Sequence, residues 1–149
     1  PKDNPTTPEK VELGRMLYFD TRLSGDSSKS CASCHVPETG WSNRAQLSDA
    51  YPGTKHWRSV PTVLNAAYAR ALFWDGRAVS LEEQAQGPIQ APIEMNQNPD
   101  LLVEKLSVIP EYNRRFKEVF NAPSCPATCR STVTSTATGL PSTRTRSRA

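Results

Sequence analysis

Apolar side chains are scarce in this chain. Only 36% of its 149 residues are hydrophobic, and the seven glycines raise the apolar share to about 41%, short of the ~45–50% usual in globular domains. No run approaches the ~18 consecutive apolar residues of a membrane-spanning helix, so no membrane span is expected. No charged-then-apolar stretch marks a signal peptide. The chain starts at Pro1 rather than Met, which reads as a leader already removed. Alternating apolar–polar stretches longer than a few residues are missing, and so is any internal repeat, which leaves little basis for strands. Acidic residues are absent from 123–149. All fifteen Asp and Glu lie in 1–122 with fourteen of the 18 Lys and Arg, a net charge of −1, whereas 123–149 carry four arginines and +4. The basic balance therefore belongs to the last stretch, and nucleic-acid binding, which needs a basic face on the folded part, is excluded.

Thirteen prolines punctuate what is present. Residues 1–7 read as a disordered lead-in. Thr7 then serves as N-cap, with Pro8 at the first helical position and Glu9 in the first turn of a helix over 8–19. Leu13, Met16, Leu17 and Phe19 supply its apolar side, and Gly14 weakens it by about 1 kcal/mol relative to Ala. Residues 20–30 form a loop, and 37–62 carry turn formers without a period. A helix is expected over 62–72 after Pro61. Ser80-Leu81-Glu82-Glu83 is a capping box opening a short helix that stops before Gly87-Pro88. Asn98 starts another helix with Leu101, Leu102 and Leu106 on its apolar side. Pro110 begins a last one, in which Tyr112, Phe116 and Val119/Phe120 recur at helical spacing. The fold class is mainly α with long irregular loops. From 123 to 149 twelve residues are Ser or Thr and none is aromatic, so disorder is expected there. Two origins fit that tail: a genuine low-complexity segment, or a reading-frame error that replaced the natural continuation.

The chemistry concentrates in Cys31-Ala-Ser-Cys34-His35, a C-x-x-C-H. This is the attachment pattern of c-type haem. One helical turn places two thiols against the two vinyl groups of a porphyrin, and the neighbouring imidazole reaches the iron axially. A disulfide, a redox C-x-x-C and half of a zinc site completed by Cys125 and Cys129 are the competing readings. The redox motif should follow a strand in a βαβ unit, which is not visible. The zinc site needs ligands from a segment expected to be disordered. One covalent haem c explains the low apolar content as well, because the porphyrin becomes part of the core. It also implies export, since this attachment takes place outside the cytoplasmic membrane.

The strings LGRMLYFDTRLSGDSSKSCASCH and PTVLNAAYARALFWDGRAVSLEEQAQGPIQAPIEM resemble the N-terminal, peroxidatic domain of the bacterial di-haem cytochrome c peroxidases and the related MauG-type enzymes. The likeness runs from about residue 5 to 121. It implies a cytochrome c-like haem domain over 1–122, followed by the tail. It further implies His35 as proximal iron ligand, Trp74 as the tryptophan between two haems, and Gln84 and Glu94 as the distal pair with Pro88 between them. Glu94 is the expected proton-transfer residue, because O–O heterolysis requires a proton on the leaving oxygen. Without the resemblance, Trp74 would be a packed aromatic, Glu94 a solvated carboxylate and Gln84 a helix-surface residue. The family's calcium-binding Asn is replaced by Ser59, so the resemblance does not extend to calcium. His56 is the candidate for the distal histidine found in several members, at a shorter spacing to PTVLN than in the best-known ones; a surface-loop histidine is the alternative. The second haem domain has no counterpart after Asn121.

The leading functional expectation is reduction of hydrogen peroxide to water, with electrons from a small periplasmic c-type cytochrome or copper protein, in a protein that could dimerise as the family does. The alternatives are a mono-haem electron carrier with Met95 or His56 as sixth ligand, a MauG-like oxidase acting on a protein substrate, and the non-functional product of a frame error.

Overall fold

The structure, a computed structural model, describes residues 4–121. The tail over 123–149, with Cys125 and Cys129, lies outside the described residues. Within them the chain is helical and, apart from the isolated bridges Val36–Ser42, Asp49–Lys55 and Leu72–Ala78, carries no strand. The helices are α1 (Pro8–Phe19), α2 (Cys31–Cys34), α3 (Leu81–Gln90), α4 (Pro99–Ser107) and α5 (Pro110–Phe120), with 3-10 turns at Thr21–Leu23, Pro37–Thr39 and Ala66–Tyr68.

Helix α1 starts as its sequence demands, with the Thr7 hydroxyl accepting the Lys10 N–H at 3.3 Å and Pro8 in the first turn. Its buried stripe is Leu13, Gly14, Leu17 and Tyr18, two i,i+4 rows side by side. Phe19 was expected on that stripe. It lies about 200° around the helix from Leu17 and is exposed. Leu101 departs from expectation for the same reason: Leu102 and Leu106 share one face of α4 and are buried, while Leu101 points away and is exposed. The core joins Leu13, Leu17, Leu23, Ile89, Met95, Leu102, Leu106, Tyr112 and Phe116. Helix α1 packs on α5 and α2, and α5 on α4.

Two expected helices differ. The segment 62–72 forms only the short turn Ala66–Tyr68. The Thr62 hydroxyl donates to the Gly40 carbonyl at 2.6 Å and the Val63 N–H to the Trp41 carbonyl at 3.2 Å, tying its start to a neighbouring loop. Asn65 then takes a left-handed φ of 58°, and Leu72 pairs with Ala78. Such tertiary ties outweigh helix propensity. Conversely, α3 does not stop before Gly87-Pro88 but continues to Gln90 with Pro88 inside it. Pro88 lacks the N–H that would bond the Gln84 carbonyl. Burial of Ile89 and the Ala91 N–H to Gly87 carbonyl bond at 2.9 Å hold the last turn regardless. Gly87 matters here, because a Cβ at that position would meet Phe73 Cζ at 2.8 Å. The Ser80 hydroxyl accepts the Glu83 N–H at 3.1 Å as a capping box requires, but the Glu83 carboxylate reaches back to the Val79 N–H instead of that of Ser80.

Of the lead-in expected to be disordered, residues 4–7 are described, and Asn4 is tied to two helices. Asn4 donates to Glu82 at 2.9 Å and accepts from Lys10 at 2.8 Å, which ties it to α3 and α1.

At the turn after α1, Asp20 is nearly enclosed, with 8% of its side chain exposed. It receives the Tyr112 hydroxyl at 2.6 Å and the Arg22 guanidinium at 2.6 to 2.9 Å. Burial pushes the Asp20 carboxyl up, but the hydrogen bonds from Arg22 and Tyr112 outweigh it, and its pKa lies below the ordinary value. With a depressed folded pKa, its contribution to stability is whole above about pH 4 and is lost as the pH falls through the folded value. Tyr112→Phe is expected to cost about 1.5–3 kcal/mol at pH 7, read by denaturant titration, and to make the further loss below about pH 4 shallower than in the parent.

Candidate functional site

Helix α2 is a single turn set by its own serines. The Ser30 N–H donates to the Ser33 hydroxyl at 2.9 Å, and the Ser33 N–H to the Ser30 carbonyl at 3.1 Å. That turn puts Cys31 and Cys34 at i,i+3, on one side, and closes with the His35 N–H on the Cys31 carbonyl at 2.9 Å. Both thiols are free. Burial pushes the Cys31 thiol up to about 12, with Cys34 adding to it. Burial raises Cys34 too, where the Glu94 and Asp49 carboxylates act against the pull of Lys29.

The imidazole of His35 is oriented from outside its helix. Its Nδ1 lies 3.0 Å from the Pro61 carbonyl oxygen. A carbonyl only accepts, so Nδ1 carries the proton and Nε2 keeps its lone pair. Burial lowers the His35 pKa, which favours the neutral, ligating ring. The Tyr18 hydroxyl holds the same residue's carbonyl at 3.3 Å. Pro61 is in turn fixed by its neighbours, since Ser42 donates to the Val60 carbonyl at 2.6 Å and Thr62 to that of Gly40. Two unpaired thiols one turn apart and an imidazole whose second nitrogen is anchored are the donor set that haem c requires, so the residues present fit that group. Among the described residues, no cluster of three or more His, Cys, Asp or Glu is placed to hold a metal ion.

A second group forms around Glu94, on the turn after α3. The Tyr51 N–H donates to the Ile93 carbonyl at 2.7 Å and joins the 48–58 loop to this turn. Within that loop the Ser48 and Arg58 backbones pair, as do those of His56 and Ser48. His56 thereby comes to Glu94, Nε2 to Oε1 3.6 Å. Its Nδ1 accepts the Arg58 N–H at 3.1 Å, so in the neutral ring the proton sits on Nε2, facing the carboxylate. The ring stacks on Trp57 at 4.4 Å between centroids. Burial raises the Glu94 pKa against the opposing charges of His56 and Arg77.

The other sequence candidates are distributed around these two groups. Gln84 is half-buried on α3, and among the described residues no hydrogen bond links it to Glu94 or His56. Trp74 is 59% exposed, and its indole N–H donates to the Ser59 carbonyl at 3.0 Å. Met95 is buried in the core cluster with Leu13, Leu17 and Ile89. The sequence reading missed the Pro61 carbonyl, which no side-chain pattern could signal. It also missed Arg77, although it belongs to FWDGRA. Its guanidinium lies 3.5 Å from the Phe73 ring centroid and pairs with Asp75 at 2.8 Å.

Known proteins share the sequence and the fold of this chain. The family model described as di-haem cytochrome c peroxidase matches residues 8–140. Cytochrome-c peroxidase IdrP1 of Pseudomonas sp. is 48% identical over 122 residues, covering 82% of this chain and 32% of that protein. Methylamine utilization protein MauG of Methylorubrum extorquens is 49% identical over 122 residues, 82% of this chain and 35% of that one. Among solved structures, a MauG-like protein associated with microbial copper homeostasis superposes with a TM-score of 0.81 at 32% identity, over 94% of this chain and 43% of its own. The chain thus spans about a third of the length of the curated relatives it matches. By the family match and these identities, the chain belongs to the di-haem cytochrome c peroxidases.

Proposed function

We propose that residues 1–122 are the peroxidatic haem domain of a cytochrome c peroxidase, which reduces hydrogen peroxide to two waters with two electrons and two protons. The observation that carries this reading is the half-buried Glu94 carboxylate beside His56, Nε2 to Oε1 3.6 Å, whose charge adds to the raised pKa of the Cys34 thiol. Haem c, held through the Cys31 and Cys34 thiols with His35 on its iron, supplies the redox centre and the peroxide-binding position. Residues of this chain do the rest. The Pro61 carbonyl keeps His35 Nε2 free to ligate. Glu94 accepts a proton from bound peroxide and delivers it to the leaving oxygen. His56 steadies that carboxylate through Nε2, an arrangement that favours this role over distal ligation. Gln84 lends an amide to the same side, and the exposed indole of Trp74 serves electron entry.

The donor in this reading is a small c-type cytochrome or copper protein, the compartment is the periplasm, and the protein dimerises as the family does. Calcium is not expected in this reading, because Ser59 stands where the family's calcium-binding Asn would be. The carrier reading is disfavoured by Met95, whose side chain is part of the core. A MauG-like oxidase acting on a protein substrate would use the same residues, and identity does not separate it from the peroxidases; steady peroxide reduction with a small donor does.

In the haem-loaded chain, Glu94→Gln is expected to lower peroxide turnover about 10²–10⁴-fold; turnover at the parental rate removes Glu94 from the mechanism. Met95→Leu is expected to leave the ferric optical spectrum unchanged and to cost less than about 1.5 kcal/mol. A shift of spin state in that variant would restore the carrier reading.

A further inference from the structure

Glu94 and the C-x-x-C-H come from segments sixty residues apart, and one buried side chain joins those segments. Gln97, three residues after Glu94, is 4% exposed. Its amide nitrogen donates to the Arg22 carbonyl at 3.2 Å and to the Ser24 carbonyl at 3.1 Å, and its amide oxygen accepts the Asn98 N–H at 3.1 Å. Both donors are thus spent on the loop that leads into Cys31. Its own N–H donates to the Ile89 carbonyl at 2.9 Å, which anchors it to α3. On the loop side, the fully buried Ser24 accepts the Lys29 N–H at 3.0 Å, two residues before Cys31. The Gly25 N–H donates to the Met95 carbonyl at 2.8 Å. A Cβ at Gly25 would fall on the Asn96 carbonyl oxygen, so the two strands of chain touch backbone to backbone. Lys105 of α4 adds bonds to the Ser24 and Gly25 carbonyls at 3.2 and 2.9 Å.

We propose that Gln97 is a positioning residue that sets the place of Glu94 relative to the haem attachment turn, by holding the 94–97 segment to the 22–25 loop with both hydrogens of its amide. This rests on the peroxidase reading of Glu94. Only a primary amide serves the position: the isosteric carboxylate of Glu has no hydrogen for either carbonyl and sets its oxygens against theirs. Because the loop runs on to Cys31 through Ser24 and Lys29, a shift at Gln97 moves Glu94 without removing any group that holds the haem.

The test compares the haem-loaded parent with Gln97→Glu, Glu94→Gln, the double variant and the core truncation Phe116→Leu, at a temperature where all are folded. Two rates are measured: peroxide turnover, and association of hydrogen cyanide with the ferric protein. Hydrogen cyanide must lose a proton as it binds and so reports the placement of Glu94 without turnover. Gln97→Glu is expected to keep both thioether bonds and to slow both rates at least tenfold. The double variant should be no slower than Glu94→Gln alone, and Phe116→Leu should lower the melting temperature while leaving both rates at parental values. Parental rates in Gln97→Glu, or a double variant slowed by the product of the single effects, would overturn the proposal. If the parent reduces no peroxide, the peroxidase reading fails, and the cyanide rates still decide the positioning role.

Discussion

A short supply of apolar side chains governs this domain. What hydrophobic material there is gathers where α1, α4 and α5 meet, around Leu13, Leu17, Leu102, Leu106, Tyr112 and Phe116. The stretch from Val36 to Val79 has almost no share in that core. It is held by hydrogen bonds, such as Ser42 to the Val60 carbonyl and Thr62 to that of Gly40, and it leaves Trp57, Tyr68 and Trp74 largely exposed. Each such bond contributes only about 1 kcal/mol net, so an arch of this kind gains from an apolar partner. The haem c proposed for Cys31, Cys34 and His35 is a partner of that size and character.

The division between core and arch also divides the work at the site. The core side fixes the attachment turn, because α2 packs directly on α1 and Cys31 touches the core. The arch side supplies what the turn lacks: the Pro61 carbonyl for His35 and the 48–58 loop that carries His56 to Glu94. On the core side, Gln97, Ser24 and Lys105 tie the 94–97 segment and α4 to the loop that leads into Cys31. The side chains of these three residues are all hydrogen-bonded, which is the condition under which a buried polar network specifies one arrangement.

Much of the helical framework was legible in the residues. Thr7-Pro8, Asn98-Pro99 and Pro110 announce three helix starts that the structure contains, because capping and the fixed φ of proline are local effects. Where tertiary contacts compete with local preference, the reading failed. Thr62 and Val63 bond the 40–41 loop and abolish a plausible helix. Burial of Ile89 carries α3 past Gly87-Pro88. Phe19 and Leu101, expected on the apolar sides of their helices, sit at angular positions that do not reach the core.

For the site the same boundary holds. The sequence by itself determined the attachment motif, because C-x-x-C-H spacing puts two thiols and the adjacent histidine on and next to a single helical turn. It also determined the family, through strings long enough to be specific. Only the tertiary structure decided which tautomer His35 carries, that His56 faces Glu94, that Met95 belongs to the core and that Gln97 ties its segment to the loop before Cys31. Those facts depend on backbone carbonyls and on residues twenty to eighty positions apart. A backbone carbonyl is the same in every residue, so no sequence pattern marks the one that a side chain will choose.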